Sequence, residues 1–457
     1  MRNSRSNCFA RMLFMTALSA ILFLSTASDS FAKTITFWTT EVSADRQAVI
    51  GYLVSAFRIY HPEIEIIVKG VEENRIAEEL GKAIQEGDAP DVVGCASDLV
   101  VAFGSKGWMN SLQTRRLIDS IGQDKFYAGA LSRLRLANRY FCGIPFNGWV
   151  QGIWYRKDWF AEKGLAAPNS WRNILAAAKA FHHPEKGRYG ILIGTRADAY
   201  AEQVFTHLAL SAGVEEFSKD GRVVFDSPAT VKTLEFYKEL SRYTPPGPQW
   251  WRGRDFYLQG RLAMMFYSTF IMDDLAAPSI AADSLGPDNF PELDGADYDY
   301  NLLMNTGVVT RIKGSRKAGY GVIHALGLIK TGDSGREEAA ARFVEFLFRD
   351  DAYITWLHMV PGGMLPVLKH VTDVPMFYRD VQGGFSKYSR RRVREIVSGF
   401  DVLKSFSFTE GVLIPQAAIA SAQGIIPSMI DQALRQNVPA AQAVSNASNR
   451  LSEIVSE

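Results

Sequence analysis

Residues 140–171 read YFCGIPFNGWVQGIWYRKDWFAEKGLAAPNSW. An apolar strand reaches Ile144, meets Pro145, and resumes through Gly148-Trp149-Val150 to Gly152-Ile153-Trp154-Tyr155 before a polar helix start. Proline has no backbone N–H and holds its preceding residue extended, so Pro145 interrupts one ladder position. Asn147-Gly148 is a turn or bend signal. Together these residues predict that the chain crosses over here, with aromatic side chains beside the crossing. A hinge next to a binding surface suits capture and release of a small molecule.

Working outward, the residues before this stretch alternate between strand and helix patterns. Thr34–Trp38 reads as a buried strand, and Val49, Leu53, Val54, Phe57 and Tyr60 follow at helical spacing until His61-Pro62. Ile64–Val68 is a second strand, Ile76, Leu80, Ala83 and Ile84 mark a second helix, and Ala89-Pro90-Asp91-Val92-Val93 opens a third strand. Strand-helix-strand-helix-strand implies a parallel sheet with right-handed crossovers. Ligands of such sheets bind beyond the carboxyl ends of the strands, which directs attention to Thr39–Glu41, Gly94–Asp98 and Asn147–Trp149.

Beyond the crossing, Ser170 is placed to cap a helix with Trp171, Ile174, Leu175, Ala178 and Phe181 on its apolar face. Tyr189–Gly194 and Arg261–Tyr267 read as strands, and Asp226-Ser227-Pro228 as a helix start. A loop rich in Asp, Gly and Pro runs over 281–301 and leads to Gly307-Val308-Val309, where a second crossing is expected. Glu337–Phe348 forms an amphipathic helix, and the rest of the chain is largely helical.

The N-terminus carries Arg2, Arg5 and Arg11 before the apolar run Met12–Leu24, with Ser30-Phe31-Ala32 after it. This is the pattern of a cleavable signal peptide over 1–32, and the run is short for a membrane span. Cys8 precedes the apolar run, so a lipid-anchored cysteine at the cleavage point is not supported. The 457 residues have net charge +1, and the segment to be removed holds three arginines and one aspartate. The exported remainder is therefore near neutral, which argues against nucleic-acid binding. It is too long for one ordinary core. Cys95 and Cys142 are left in it, either as a pair or as two separate buried thiols.

The order of these segments resembles the family 1 extracellular solute-binding proteins of bacterial ABC importers, the group that includes maltose-binding protein. The resemblance rests on Ile35–Trp38, Ala89–Val93 with Gly107–Leu112, Gly143–Asn147, Tyr155–Leu165, Pro168–Trp171, Gln259–Met264, Gly319–Gly321 and Ala339–Leu347. It implies an α/β, two-lobed periplasmic-binding-protein fold, each lobe a mostly parallel sheet flanked by helices, joined by a hinge. The lobes would comprise 33–146 plus 308–355 and 147–307 plus 356–457. The implied function is a monomeric periplasmic component that carries a sugar or polyol to ABC permease subunits, without enzymatic activity.

Sugars present apolar faces and hydroxyl-rich edges, so their sites combine aromatic platforms with planar polar groups. By resemblance the ligand-binding candidates are Glu41, Asp98, Asn147, Trp149, Asp198, Tyr200, Phe270 and Tyr320. Each has a plainer reading: Trp149 as a hinge-packing residue, Asp98 as a helix cap, Glu41 as a solvated loop carboxylate. Phe270 stands where many relatives carry a stacking tryptophan, and Cys95 where several carry a ligand contact. Both departures weigh against maltose-like recognition. Trp250-Trp251 and Arg390–Arg392 with Arg394 read as a packed loop and a solvated helix face. Asp273-Asp274 reads as a helix start or surface, since adjacent residues on a helix point apart. His182-His183 lacks metal-ligand spacing. Serine-elbow, metal-pair and phosphate-loop motifs are absent from the sequence, and no cofactor is expected. An exported glycan-acting hydrolase and a binder of an anionic polyol such as glycerol phosphate stand as alternatives.

Overall fold

A computed structural model describes residues 33–136, 140–277, 298–381, 383–409 and 412–456. The expected signal peptide, and all of the expected 281–301 loop up to residue 297, lie outside the described residues.

The opening βαβαβ unit forms as read. Strand β1 (Lys33–Thr39), helix α1 (Ala44–Tyr60), β2 (Ile64–Gly70), α2 (Ile76–Glu86) and β3 (Val92–Ala96) alternate along the chain. β1 pairs in parallel with β2 (Ile35 opposite Ile66) and with β3 (Trp38 opposite Val93). Asp91 pins this corner: its fully buried carboxylate accepts from the Thr36 amide at 2.8 Å and from Arg336 at 2.8 Å. Charge-assisted bonds of this kind offset the desolvation of the buried group.

The decisive stretch behaves differently from its reading. β4 (Ile144–Arg156) is one uninterrupted 13-residue strand, nearly all of it buried. Its first part pairs antiparallel with β7 (Tyr320–Leu328), and Gly148 and Asn147 also face β8 (Leu365–Pro366). Its second part pairs with β5 (Met264–Ser268) and with β6 (Thr306–Val309). The chain thus crosses between the two halves of the sheet by running straight through. Pro145 causes no break because a register shift sits opposite it, between His324 and Ala325. A bulge is where a strand tolerates a missing donor.

Asn147-Gly148 is likewise not a turn. Gly148 is there for close approach: a Cβ at this position would lie 2.3 Å from the Val322 carbonyl oxygen. Gly152 plays the same part against β6, where a Cβ would lie 2.7 Å from Val308 Cγ2. Val308 pairs with Trp154 and Tyr320 with Gln151, so the chain passes from one part of β4 to the other between Val309 and Tyr320.

Aromatic side chains knit the first half. Phe146 packs against Phe348, Tyr353 and Trp356 at ring separations of 5.2, 5.2 and 5.0 Å, and Phe37 meets Phe343 at 5.6 Å. The Tyr353 hydroxyl donates to the Phe146 carbonyl, and α6 (Ser334–Leu347), capped by Asp333, supplies Phe343. In the second half, Tyr189 and Leu192 of the expected strand 189–194 make single parallel bridges to Leu262 and Met265. Helices α4 (Ala199–Ala212), α5 (Pro228–Ser241), α8 (Ile425–Leu434) and α9 (Ala440–Ser456) pack together there, preceded by α7 (Pro415–Ala422).

Cys95 and Cys142 are both free and fully buried. Burial pushes the Cys142 thiol up to about 12 and the Cys95 thiol higher still. Asp273-Asp274, read as a helix start or surface, falls in the first turn of the helix Ile271–Ala276, where Asp274 is buried and pairs with Arg254 at 3.2 Å.

Gly148→Ala should destabilise the protein by about 1–3 kcal/mol through overpacking against β7. Gly51→Ala, in α1 with no atom within 4 Å of the added methyl, should stabilise it by about 0.5–1 kcal/mol. Urea unfolding of the two variants checks both signs.

Candidate interlobe binding cleft

Where the two halves face each other lies a cleft of about 480 Å³. The first half contributes Glu73, the end of β3 with Ser97 and Asp98, Arg133, and Tyr320–Val322 at the start of β7. The second contributes Glu202 and Thr206 of α4, Glu216, the segment Ser405–Ser407, and Ala417, Ala418, Ser421 and Ala422 at α7.

The geometry follows from the fold. Chain leaving β3 enters helix α3 (Ser97–Ser105) directly, so Asp98 falls in its first turn, beyond the carboxyl end of the strand. Asp98 accepts from Arg133 at 2.8 Å. The Arg133 guanidinium, itself only 8% exposed, also bonds Ser405 and lies 4.4 Å from the centre of the Phe408 ring. One cation therefore ties a carboxylate of the first half to residues of the C-terminal segment across the cleft.

Asp198 caps α4 by accepting from the amides of Tyr200 and Ala201 at 3.0 and 3.1 Å. Helical spacing then sets Glu202 and Thr206 one turn apart on the cleft side. The Tyr200 hydroxyl donates to the Phe266 carbonyl at 2.6 Å and fastens the helix to β5. Just past α4 stands Glu216, 3% exposed, whose Oε2 has no hydrogen-bond partner. Burial, and then the charge of Glu202, push its carboxyl well above the usual range. Burial also raises Glu202, opposed by a hydrogen bond to Ser421. Tyr320 is raised mainly by burial, with Glu202 and Asp98 adding to it.

Of the eight expected ligand residues, Asp98 and Tyr320 line this cleft. Trp149 stands behind it, edge-on to Tyr320 at 6.1 Å. Asn147 is buried within β4. Asp198 and Tyr200 hold the helix that bears Glu202. Glu41 is buried and paired with Arg46 at 2.6 Å. Phe270, 37% exposed, packs on Gly363 away from the cleft lining. Sequence reading missed Glu202, Thr206, Arg133, Glu216 and the 405–422 wall. The four-residue spacing of Glu202 and Thr206 after a capping Asp198 was an available signal. Nothing local marks Glu216 or Ser405.

Other features fall outside the cleft. Arg392 bonds the Thr306 carbonyl, Arg394 pairs with Asp373, and Arg390 lies over Tyr378. A larger groove of about 800 Å³ lies apart from the cleft, lined by Trp171, Lys232 and Lys313 among others. Among the described residues no group of three His, Cys, Asp or Glu could hold a metal ion, and no helix is long and apolar enough to cross a membrane.

Two α/β lobes that share a through-running strand and enclose a ligand-sized cleft define a two-lobed solute-binding protein. The family model for bacterial extracellular solute-binding proteins matches residues 40–354, and the chain belongs to that family. YcjN of Escherichia coli K12, a putative ABC transporter periplasmic-binding protein, is 26% identical over 428 residues, 93% of each chain. The sugar-binding protein MalE of Xanthomonas citri superposes with a TM-score of 0.70 at 16% identity, covering 93% of this chain and 98% of that one. A solute-binding protein of Agrobacterium radiobacter K84 in complex with ribitol gives 0.64 at 18% identity, covering 92% and 98%. These two structures establish the shared fold.

A carboxyl raised in the folded state keeps a proton that the unfolded chain releases, so it costs stability as pH rises above the ordinary glutamate range. Glu216→Gln should therefore raise the melting temperature near pH 8, and the gain should shrink as pH falls below the ordinary glutamate value, where both states are protonated. A melting-temperature difference that is constant with pH would remove Glu216 from the account.

Proposed function

We propose that the chain is the exported, periplasmic binding component of an ABC importer, a monomer that captures a sugar or polyol between its lobes and presents it to permease subunits. The observation that carries this reading is the cleft, whose lining comes from both lobes and mixes carboxyl, hydroxyl and guanidinium groups with Tyr320 and Phe406. Hydroxyl-rich solutes need such paired donors and acceptors beside an aromatic face. The E. coli relative, a putative ABC transporter periplasmic-binding protein, and the ribitol bound to the Agrobacterium protein support the transport role and the solute class. Strand pairing supports crossings near Val150-Gln151 and between Val309 and Tyr320, within a few residues to about a dozen of the divisions expected at 146/147 and 307/308.

In this reading Asp98 and Tyr320 touch the solute, and Trp149 sets the angle of Tyr320. Asp198 and Tyr200 place the helix of Glu202, and Asn147 belongs to the crossing strand. Glu41 and Phe270 would meet only a solute that extends beyond the cleft. Capture without turnover fits closure of two lobes about a shared strand, a hinge motion.

A thermal-shift screen of sugars and polyols, paired with product analysis, tests the proposal. A solute should raise the melting temperature and be recovered intact. Its consumption would favour the hydrolase reading. For the solute so found, Tyr320→Ala should weaken binding by roughly tenfold, the loss of one desolvated aromatic contact of about 1.4 kcal/mol, measured by calorimetry.

A further inference from the structure

The charge of the cleft narrows the solute further. Its lining holds four carboxyl groups, Glu73, Asp98, Glu202 and Glu216, against the single guanidinium of Arg133, and no lysine. Arg133 is already engaged by Asp98. Glu202 reaches Ser421, a neutral partner. Glu216 Oε2 is buried at the cleft wall with no partner at all. Two further cations, Arg316 and Lys404, line an adjoining hollow that shares Arg133, together with Glu215.

An unpaired buried carboxyl oxygen is costly unless a ligand satisfies it. A neutral sugar hydroxyl can bond to it while it stays protonated, whereas a cation placed beside it favours its ionised form, so capture of an ammonium would release the proton that burial holds on Glu216. An ammonium group carries three donors and a full positive charge, and it answers two adjacent carboxyls at once. Tyr320 and Phe406 also line the cleft, and aromatic rings are suited to cations.

We propose that the captured solute is an amine-bearing, hydroxyl-rich small molecule whose ammonium group sits against Glu216 and Glu202. This rests on the cleft being the solute site and specifies what that site selects.

The test uses matched pairs that differ by one amine: glucose and glucosamine, galactose and galactosamine, glycerol and 2-aminopropane-1,3-diol. Calorimetry at neutral pH on the whole exported protein should show the amine member of at least one pair bound roughly tenfold or more tighter than its neutral twin, the worth of one charge-assisted bond. Glu216→Gln should erase most of that preference while leaving the protein folded, as judged by its melting curve. Raising the salt concentration should weaken the amine member more than the neutral one. Equal or tighter binding of the neutral members overturns the charge selection and leaves the sugar-or-polyol reading standing. A preference that survives Glu216→Gln overturns the assignment of the amine to this carboxyl. If no member of either series binds, both readings fall.

Discussion

One strand carries both halves of the molecule. Ile144–Arg156 pairs with β7 along its first part and with β5 and β6 along its second, so neither half completes its sheet without it. Two glycines make this possible, because any side chain at Gly148 or Gly152 would strike the neighbouring strand. The lining residues Tyr320–Val322 lie directly alongside this strand, with Val322 opposite Trp149. A small change in the twist of β4 would therefore alter the spacing of the cleft walls. A hinge built from continuous strand resists unfolding while permitting rotation, which suits a protein that must close and reopen without losing its core.

The cleft itself is an electrostatic arrangement as much as a shape. Arg133 is bonded within it to both Asp98 and Ser405. In this account that bridge sets the resting separation of the walls, and the unpartnered Oε2 of Glu216 supplies the unsatisfied demand a solute must meet. The larger groove beside Trp171 lacks this character, because Arg172, Lys232 and Lys313 line it and no carboxylate among the described residues does.

Much of the fold was legible in the sequence for local reasons. Periodicity marked β1 to β3 and their helices, and Ser170, Ser227 and Asp198 sit at helix starts where their side chains accept backbone amides. A crossing beside Pro145 was expected with a break and a turn, and the continuous strand 144–156 has neither. Pro145 and Asn147-Gly148 are ambiguous until the partner strands are known, since a bulge and a close strand contact leave the same residues as a break and a turn. The site was harder to see. Asp98 and Tyr320 follow from position in the fold, but Glu202, Glu216 and Ser405 converge only through packing of α4 and the C-terminal segment. No spacing rule links residues 98, 133, 216, 320 and 405.

The most direct test of the central claim is a crystal structure of the protein with the solute that most raises its melting temperature. The account predicts the solute between the lobes, in contact with Asp98 and Tyr320 on one wall and Glu202 or Glu216 on the other. A solute bound in the Trp171 groove, or held by one lobe alone, would contradict it.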